Sequence, residues 1–299
     1  MFDTIVIGGG PAGLQAALTL GRMHRSVLLL DSGHYRNGTV EHMQNFITHD
    51  GRDPADLRLL ARKDIAAYAT VEIRDTAADA VRQVEDGFEV VLGDETVSSR
   101  TIVLATGVRD TLPDVRGVAE AWGREIASCP FCHGHELAQE RVALLGAGAQ
   151  SAHLAALLAG VGGELVVLAD GVVPEPEVTD ALAQLGVAVR PEKVEQVDRV
   201  EGGLRVRLVD AEPLEVGGMF VETQIAQSAP FAEQLGLALL PSGCVEIDVT
   251  GRTSLPGVFA AGDLAHTSAL PGPMPSVAGA ISAGLVAAAM CHMDLAHRG

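Results

Sequence analysis

Apolar residues fall into short runs separated by glycine, and the runs come in a repeated order. Thr4–Ile7 is an apolar run; a glycine cluster follows, then an Ala/Leu-rich stretch to about His24, then a second run at Val27–Leu30 that ends in Asp31. That order predicts strand, turn, helix, strand, the building unit of a parallel sheet. It returns at Val142–Leu145, with a glycine turn, a helical stretch and the run Leu165–Leu168. Between the two units, Ala80–Val84, Phe88–Leu92 and Glu95–Ser99 alternate with period two and predict a small antiparallel sheet, followed by a strand at Thr101–Ala105. Val194–Val200 and Leu204–Val209 alternate in the same way inside the second unit. Thr253–Asp263 predicts a strand ending in Gly-Asp, and a helix is expected from Ser276. The chain therefore reads as an α/β protein in which the first unit resumes after the second, with parts at residues 1–113, 114–243 and 244–299.

The turns carry the first chemistry. Gly8, Gly10 and Gly13, in Gly8-Gly9-Gly10-Pro11-Ala12-Gly13, have the spacing that makes a tight turn, admits a pyrophosphate to the backbone and packs helix on strand. Asp31 lies 18 residues beyond Gly13, where a carboxylate accepts hydrogen bonds from an adenosine ribose. The second turn, Gly146-Ala147-Gly148-Ala149-Gln150-Ser151, replaces the third glycine by Ser151, which is expected to loosen the helix–strand contact. It reads either as a second nucleotide site or as a retained fold with an idle pocket. Asp170, 19 residues beyond Ser151, takes the ribose-facing position and disfavours the 2′-phosphate of NADP; no Arg or Lys lies in Ala169–Val173. Arg190 or Lys193 could bring that charge from elsewhere in the fold. Both units are thus expected to be Rossmann-like dinucleotide-binding domains.

Composition narrows the partners. The formal charge is −18 at pH 7, so a nucleic-acid backbone is repelled and is not an expected partner. The N-terminus enters an apolar strand with no basic region or cleavage site, and the Ala/Gly-rich run Ser276–Met290 falls short of a membrane span. A cytoplasmic protein without a membrane partner is expected. Four cysteines in 299 residues make no disulfide scaffold. Cys244 and Cys291 have no partner at useful spacing and read as small buried hydrophobes.

Cys129-Pro130-Phe131-Cys132-His133-Gly134-His135-Glu136 is the most chemical segment. Two cysteines at this spacing can close a small disulfide ring, and a neighbouring imidazole lowers a thiol's pKa. A zinc reading would use Cys129, Cys132 and His135, but only a half-site is visible and a structural site takes four ligands. Redox chemistry is the favoured reading, with inert packing as the third, and no metal is expected.

Taken together, Gly8–Gly13, Ala105-Thr106-Gly107, the CxxC placed 14 residues before Gly146, and Gly257–Asp263 resemble the low-molecular-weight thioredoxin reductase family over almost the full length. The resemblance implies FAD in the discontinuous first domain, a pyridine-nucleotide domain carrying the CxxC, a rotation between the two, and a homodimer. It implies an FAD site drawn from Gly8, Gly10, Pro11, Ala12, Gly13, Asp31, Asn45, Thr106, Gly107, Gly262, Asp263 and Val277. Asn45 would lie near the isoalloxazine and Asp263 would hold the ribityl-phosphate region. Cys132 would face the flavin and Cys129 would exchange with substrate. A second nucleotide, NAD(P)H, would use Gly146, Gly148, Ser151 and Asp170.

Three positions depart from the reductase pattern. A basic pair is replaced by Asp170 and Gly171; the Asp that follows the second Cys is replaced by His133; and Arg-Gln-Ala near the C-terminus is replaced in Pro275-Ser276-Val277-Ala278. Cys-Pro-Phe-Cys-His-Gly, with Arg36-Asn37 through His42 and Asn45, resembles instead a branch of dithiol oxidases that close disulfides in sulfur-containing natural products and return electrons to oxygen. Reducing a disulfide needs an acid for the departing thiolate; oxidising a dithiol needs a base, and an imidazole serves near neutral pH. His133 reads as that base, or else as a residue that caps or packs the turn. The expected activity is oxidation of a dithiol, on a small molecule or a thioredoxin-like protein, through Cys129-Cys132 and FAD to oxygen or another acceptor. The rivals are an NAD(P)H-dependent disulfide reductase, with NADH preferred, and a non-catalytic flavoprotein or zinc-stabilised module.

Overall fold

The computed structural model describes residues 1–161 and 163–297. The chain folds into two compact units, one made of residues 1–38, 54–109 and 225–299, the other of residues 39–53 and 110–224.

In the first unit a seven-stranded sheet runs in the order Val71–Arg74, Val27–Leu30, Phe2–Ile7, Glu95–Leu104, Gly87–Leu92, Ala80–Val84, with Val258–Ala260 also pairing Glu95–Leu104. Val27–Leu30 is buried along its whole length, as expected of a parallel strand covered on both faces. The two strands predicted at Glu95–Ser99 and Thr101–Ala105 are one continuous strand. Its first half pairs antiparallel with Gly87–Leu92 and its second half pairs parallel with Phe2–Ile7, so one strand joins the antiparallel and parallel parts of a single sheet. Ile102, Val103 and Leu104 also pair with Val258, Phe259 and Ala260, which brings the C-terminal stretch back into the first unit's core.

Helix Pro11–Arg22 opens directly from the glycine turn, with Pro11 in the first turn, where a missing N–H costs nothing. The C-terminal helix is Val277–His297, and the expectation that this run falls short of a membrane span is corrected. Its 21 residues are long and apolar enough to cross a bilayer by length and composition, because His292 and Asp294 do not end it. Its inner face, Gly284, Ala287, Ala288, Cys291 and Leu295, is buried, and Ala287, Ala288, Cys291 and Leu295 share a core with Ala12, Ala16 and Leu20. Beneath it the Cys291 thiol lies 3.1 Å from Thr101 Oγ1 and 3.4 Å from Thr4 Oγ1, so two buried hydroxyls are satisfied.

The second unit has a five-stranded sheet, Ala188–Arg190, Leu165–Leu168, Val142–Leu145, Gly218–Val221, Ile126–Ala127, and a three-stranded antiparallel sheet of Val194–Val200, Gly203–Leu208 and Ala211–Val216. Residues 39–53, placed with the first domain from sequence, group with this unit instead. A methyl on Gly123 would meet the Thr39 side chain, and Arg124 pairs with Glu41 at 2.8 Å.

Candidate active site

In the first unit the fingerprint turn is closed below and open above. Gly8 has φ +122°, and a methyl there would lie 2.5 Å from the Ala105 carbonyl carbon; one on Gly13 would lie 3.0 Å from the Gly8 carbonyl carbon. These glycines let the turn, the helix start and Ala105-Thr106-Gly107 stack backbone on backbone. Around Gly10 nothing lies within 4 Å of the same position, and the helix it starts has no side-chain cap. The result is an open cradle over unpaired helix N–H groups, which suits a pyrophosphate. Gly262 (φ +83°) sets its missing methyl 3.1 Å from Ala12 Cβ, so Gly262-Asp263 closes on the same helix start. Gly107 (φ +69°) is open, and Val277 begins the C-terminal helix.

Asp31 is 2% exposed at the end of its strand. It accepts from Tyr35 Oη at 2.7 Å, Gly33 N at 2.9 Å and Arg62 Nη2 at 2.6 Å. Burial raises the Asp31 carboxyl, but these donors outweigh it and hold the group below its ordinary value. Burial and the hydrogen bond to Asp31 push the Tyr35 phenol up to about 12. Arg58 stacks over the Tyr35 ring at 3.9 Å. Arg36 donates to Asp263 at 3.0 Å. Sequence reading singled out Asp31 and Asp263 but missed Tyr35, Arg58 and Arg62 as their surroundings. The one available signal was the Arg58/Arg62 spacing, one helical turn apart on Pro54–Ile65. A cradle open at Gly10, with a buried ionised acid at the strand end, fits the adenosine diphosphate half of FAD.

In the second unit Cys129 and Cys132 form a disulfide with a Cα separation of 5.3 Å. The pair follows edge strand Ile126–Ala127 and opens the short helix Pro130–His133. Cys132 N and His133 N both donate to Cys129 O at 3.2 Å, which folds the four residues into one turn. Gly134 seats that turn, since a methyl there would lie 3.2 Å from Leu158 Cδ2 on helix Ala149–Leu158. The His133 side chain is half-buried, and its buried Nδ1 has no hydrogen-bond partner. Burial pushes its pKa below the ordinary imidazole value, opposed by the Glu136 charge. His133 is therefore a neutral imidazole at pH 7. Both sulfurs are consumed in the disulfide, and among the described residues no group of three or more His, Cys, Asp or Glu is placed to hold a metal ion.

The second glycine turn keeps its shape. Gly146 (φ +130°) faces Ser151 Oγ, a methyl there lying 3.1 Å from it, and the surroundings of Gly148 are open. Ser151 is 2% exposed and donates its N–H to Gly148 O at 3.1 Å, with its hydroxyl beside Gly146. Asp170 (φ +50°) accepts from Val194 N at 2.8 Å, tying it to the following strand. Arg190 is held by Glu192 at 3.0 Å, whereas Lys193 Cβ lies 3.7 Å from a methyl position on Gly171. This second cradle also fits a dinucleotide. Asn45 (φ +58°) donates its N–H to Asp50 at 2.6 Å and belongs to the second unit. His42 is exposed, and His49 stacks on Phe46 with centroids 5.2 Å apart.

Comparison with known proteins agrees with this geometry. The chain is 32% identical to the thioredoxin reductase sirT of Leptosphaeria maculans, covering 96% of this chain and 92% of that one. It is 32% identical to the thioredoxin reductase aclD of Aspergillus oryzae, covering 88% of each. The crystal structure of an oxidoreductase from Agrobacterium tumefaciens superposes with a TM-score of 0.91 at 31% identity, over 100% of this chain and 99% of that one. The family described as pyridine nucleotide-disulphide oxidoreductase matches residues 2–284. The chain is an α/β oxidoreductase of the thioredoxin reductase-like type with two Rossmann-like domains, and it belongs to the pyridine nucleotide-disulphide oxidoreductase family.

Proposed function

We propose that the protein oxidises a dithiol to a disulfide by exchange at Cys129-Cys132, with FAD as its cofactor. The observation that carries this reading is the closed Cys129–Cys132 pair with the half-buried imidazole of His133 directly after it, whose pKa burial lowers. Disulfide reduction is assisted by an acid at this place and dithiol oxidation by a base; a neutral imidazole is the base.

His133 takes the proton of a substrate thiol. The resulting thiolate attacks Cys129 Sγ, the bond to Cys132 breaks, and Cys132 leaves as a thiolate. The second substrate thiol gives its proton to the Cys132 thiolate, attacks the substrate sulfur of the mixed disulfide and releases Cys129 as a thiolate. Two electrons and two protons have left the substrate. Bound FAD would supply two-electron acceptor chemistry, with oxygen or another acceptor as the final oxidant. Gly8, Gly10, Pro11, Ala12 and Gly13 would hold its pyrophosphate, with Asp31, Thr106, Gly107, Gly262, Asp263 and Val277 around it. We place the protein in the cytoplasm as a homodimer.

The second reading is a nicotinamide-driven reductase of a disulfide substrate, supported by the open second cradle and by relatives named thioredoxin reductase. Asp170 would make NADH its donor.

Trapping tests the cysteine roles without turnover. A Cys132→Ser protein treated with a substrate disulfide should hold a stable adduct on Cys129, read by intact mass, and a Cys129→Ser protein should not. Equal adducts in both variants, or full activity in either, overturn the assignment.

A further inference from the structure

We infer that Phe131 is a specificity residue that selects small dithiols carrying an apolar body, an inference that rests on the exchange reading above. Of the chain's seven phenylalanines only Phe131 is exposed, at 69%, whereas Phe88, Phe220, Phe231 and Phe259 are at most 3% exposed. It stands between the two cysteines, on a turn whose other contacts are satisfied: Gly134 is seated on Leu158, and Cys132 N and His133 N are bonded to Cys129 O. A bare ring there contributes nothing to folding, since a polar residue would cost the turn nothing in water.

The size of the feature chooses the occupant. One ring presents about 150–250 Å² at most, against about 800 Å² on each side of a stable protein–protein interface. The exposed neighbours in sequence, His135, Glu136 and Glu140, are polar and do not extend it. An acidic peptide thiol would also meet Glu136, Glu140 and the net charge of −18. The ring therefore matches the apolar group of a small uncharged dithiol. When a substrate thiolate attacks Cys129 Sγ and Cys132 leaves, that group lies against Phe131.

The test reads the opening of the disulfide in the full-length protein under anaerobic conditions, where oxygen cannot drive the pair closed again. The protein is mixed with 1,2-benzenedimethanethiol or with dithiothreitol, quenched with a thiol-alkylating reagent, and the gain in mass is followed against time and thiol concentration. The wild-type protein should be half-saturated by the aryl dithiol at a lower concentration than by dithiothreitol. Phe131→Ala should raise the aryl half-saturation about tenfold, equivalent to about 1.4 kcal/mol. It should leave its plateau rate unchanged and shift dithiothreitol less than twofold; Phe131→Tyr should keep the preference. An equal effect on both dithiols, or none, overturns the inference while leaving exchange intact. So does a reduced thioredoxin-like protein whose half-saturation, unlike that of the aryl dithiol, rises in Phe131→Ala. If neither dithiol opens the pair in the wild-type protein, the exchange reading falls and this one with it.

Discussion

Gly284→Ala sets helix propensity against packing. Gly284 lies inside helix Val277–His297, where alanine is favoured over glycine by about 0.8–1 kcal/mol. The new methyl, however, would lie 2.9 Å from the Ala12 carbonyl carbon and 3.0 Å from its Cα, with the carbonyl oxygen closer still. Those atoms are backbone of the first turn of Pro11–Arg22 and cannot rotate away, so the helices must part by several tenths of an ångström. Overpacking of this kind costs about 1–3 kcal/mol or more. Packing wins, with a net loss of up to about 2 kcal/mol and a fall of up to about 8 °C in melting temperature. Ala12 also belongs to the cradle, so the variant should retain less FAD. Thermal unfolding by circular dichroism and flavin content per chain measure both effects, with Gly272→Ala, which meets nothing within 4 Å, as the control. A variant more stable than the parent, with full flavin content, would refute the close helix crossing.

Arg62→Met should destabilise the protein by about 1.5–3 kcal/mol at pH 7, the worth of a hydrogen bond to a buried charge. Because Asp31 is held below its ordinary value, its contribution is present above about pH 3.8 and lost as pH falls through the lower folded value, so the gap to wild type should narrow below pH 4 in urea titrations. His133→Gln should slow disulfide opening at pH 7 by about a hundredfold, the low end for a general base. The wild-type acid limb should lie below pH 6.5, since burial lowers His133 and the base form is present above its folded pKa; alkylation-trapped rates from pH 5 to 8 measure both. In calorimetric titration NADH should bind more tightly than NADPH by several-fold to about a hundredfold, as a like-charge contact with Asp170 costs on the order of 1–3 kcal/mol. Asp170→Asn should narrow the difference and Lys193→Met should widen it.

What the sequence made legible was local. Two strand–glycine–helix–strand units could be read because the apolar runs, the glycines and the acids at fixed distance lie within about thirty residues of one another. The CxxC turn was legible for the same reason. Long-range choices were not. Nothing near Asp31 in the chain announced that Arg62, from helix Pro54–Ile65, would neutralise it. The short strand Val71–Arg74 carries Glu72 and Arg74 and has no pattern long enough to register, yet it edges the first sheet by pairing with Val27–Leu30. Residues 39–53 hold no periodic run, so their grouping with the second unit depends on contacts such as Gly123 with Thr39. The burial that keeps His133 neutral is likewise tertiary, because a histidine after CxxC reads the same whether covered or bare.

Flavin absorbance in an anaerobic stopped-flow mixing experiment tests the central claim most directly. With the protein as purified, a dithiol should bleach the flavin rapidly and saturably, NADH should act more slowly, and NADPH slowest of all. Rapid, saturable bleaching by micromolar NADPH, with dithiols slow, would contradict dithiol oxidation and make the protein a nicotinamide-driven reductase.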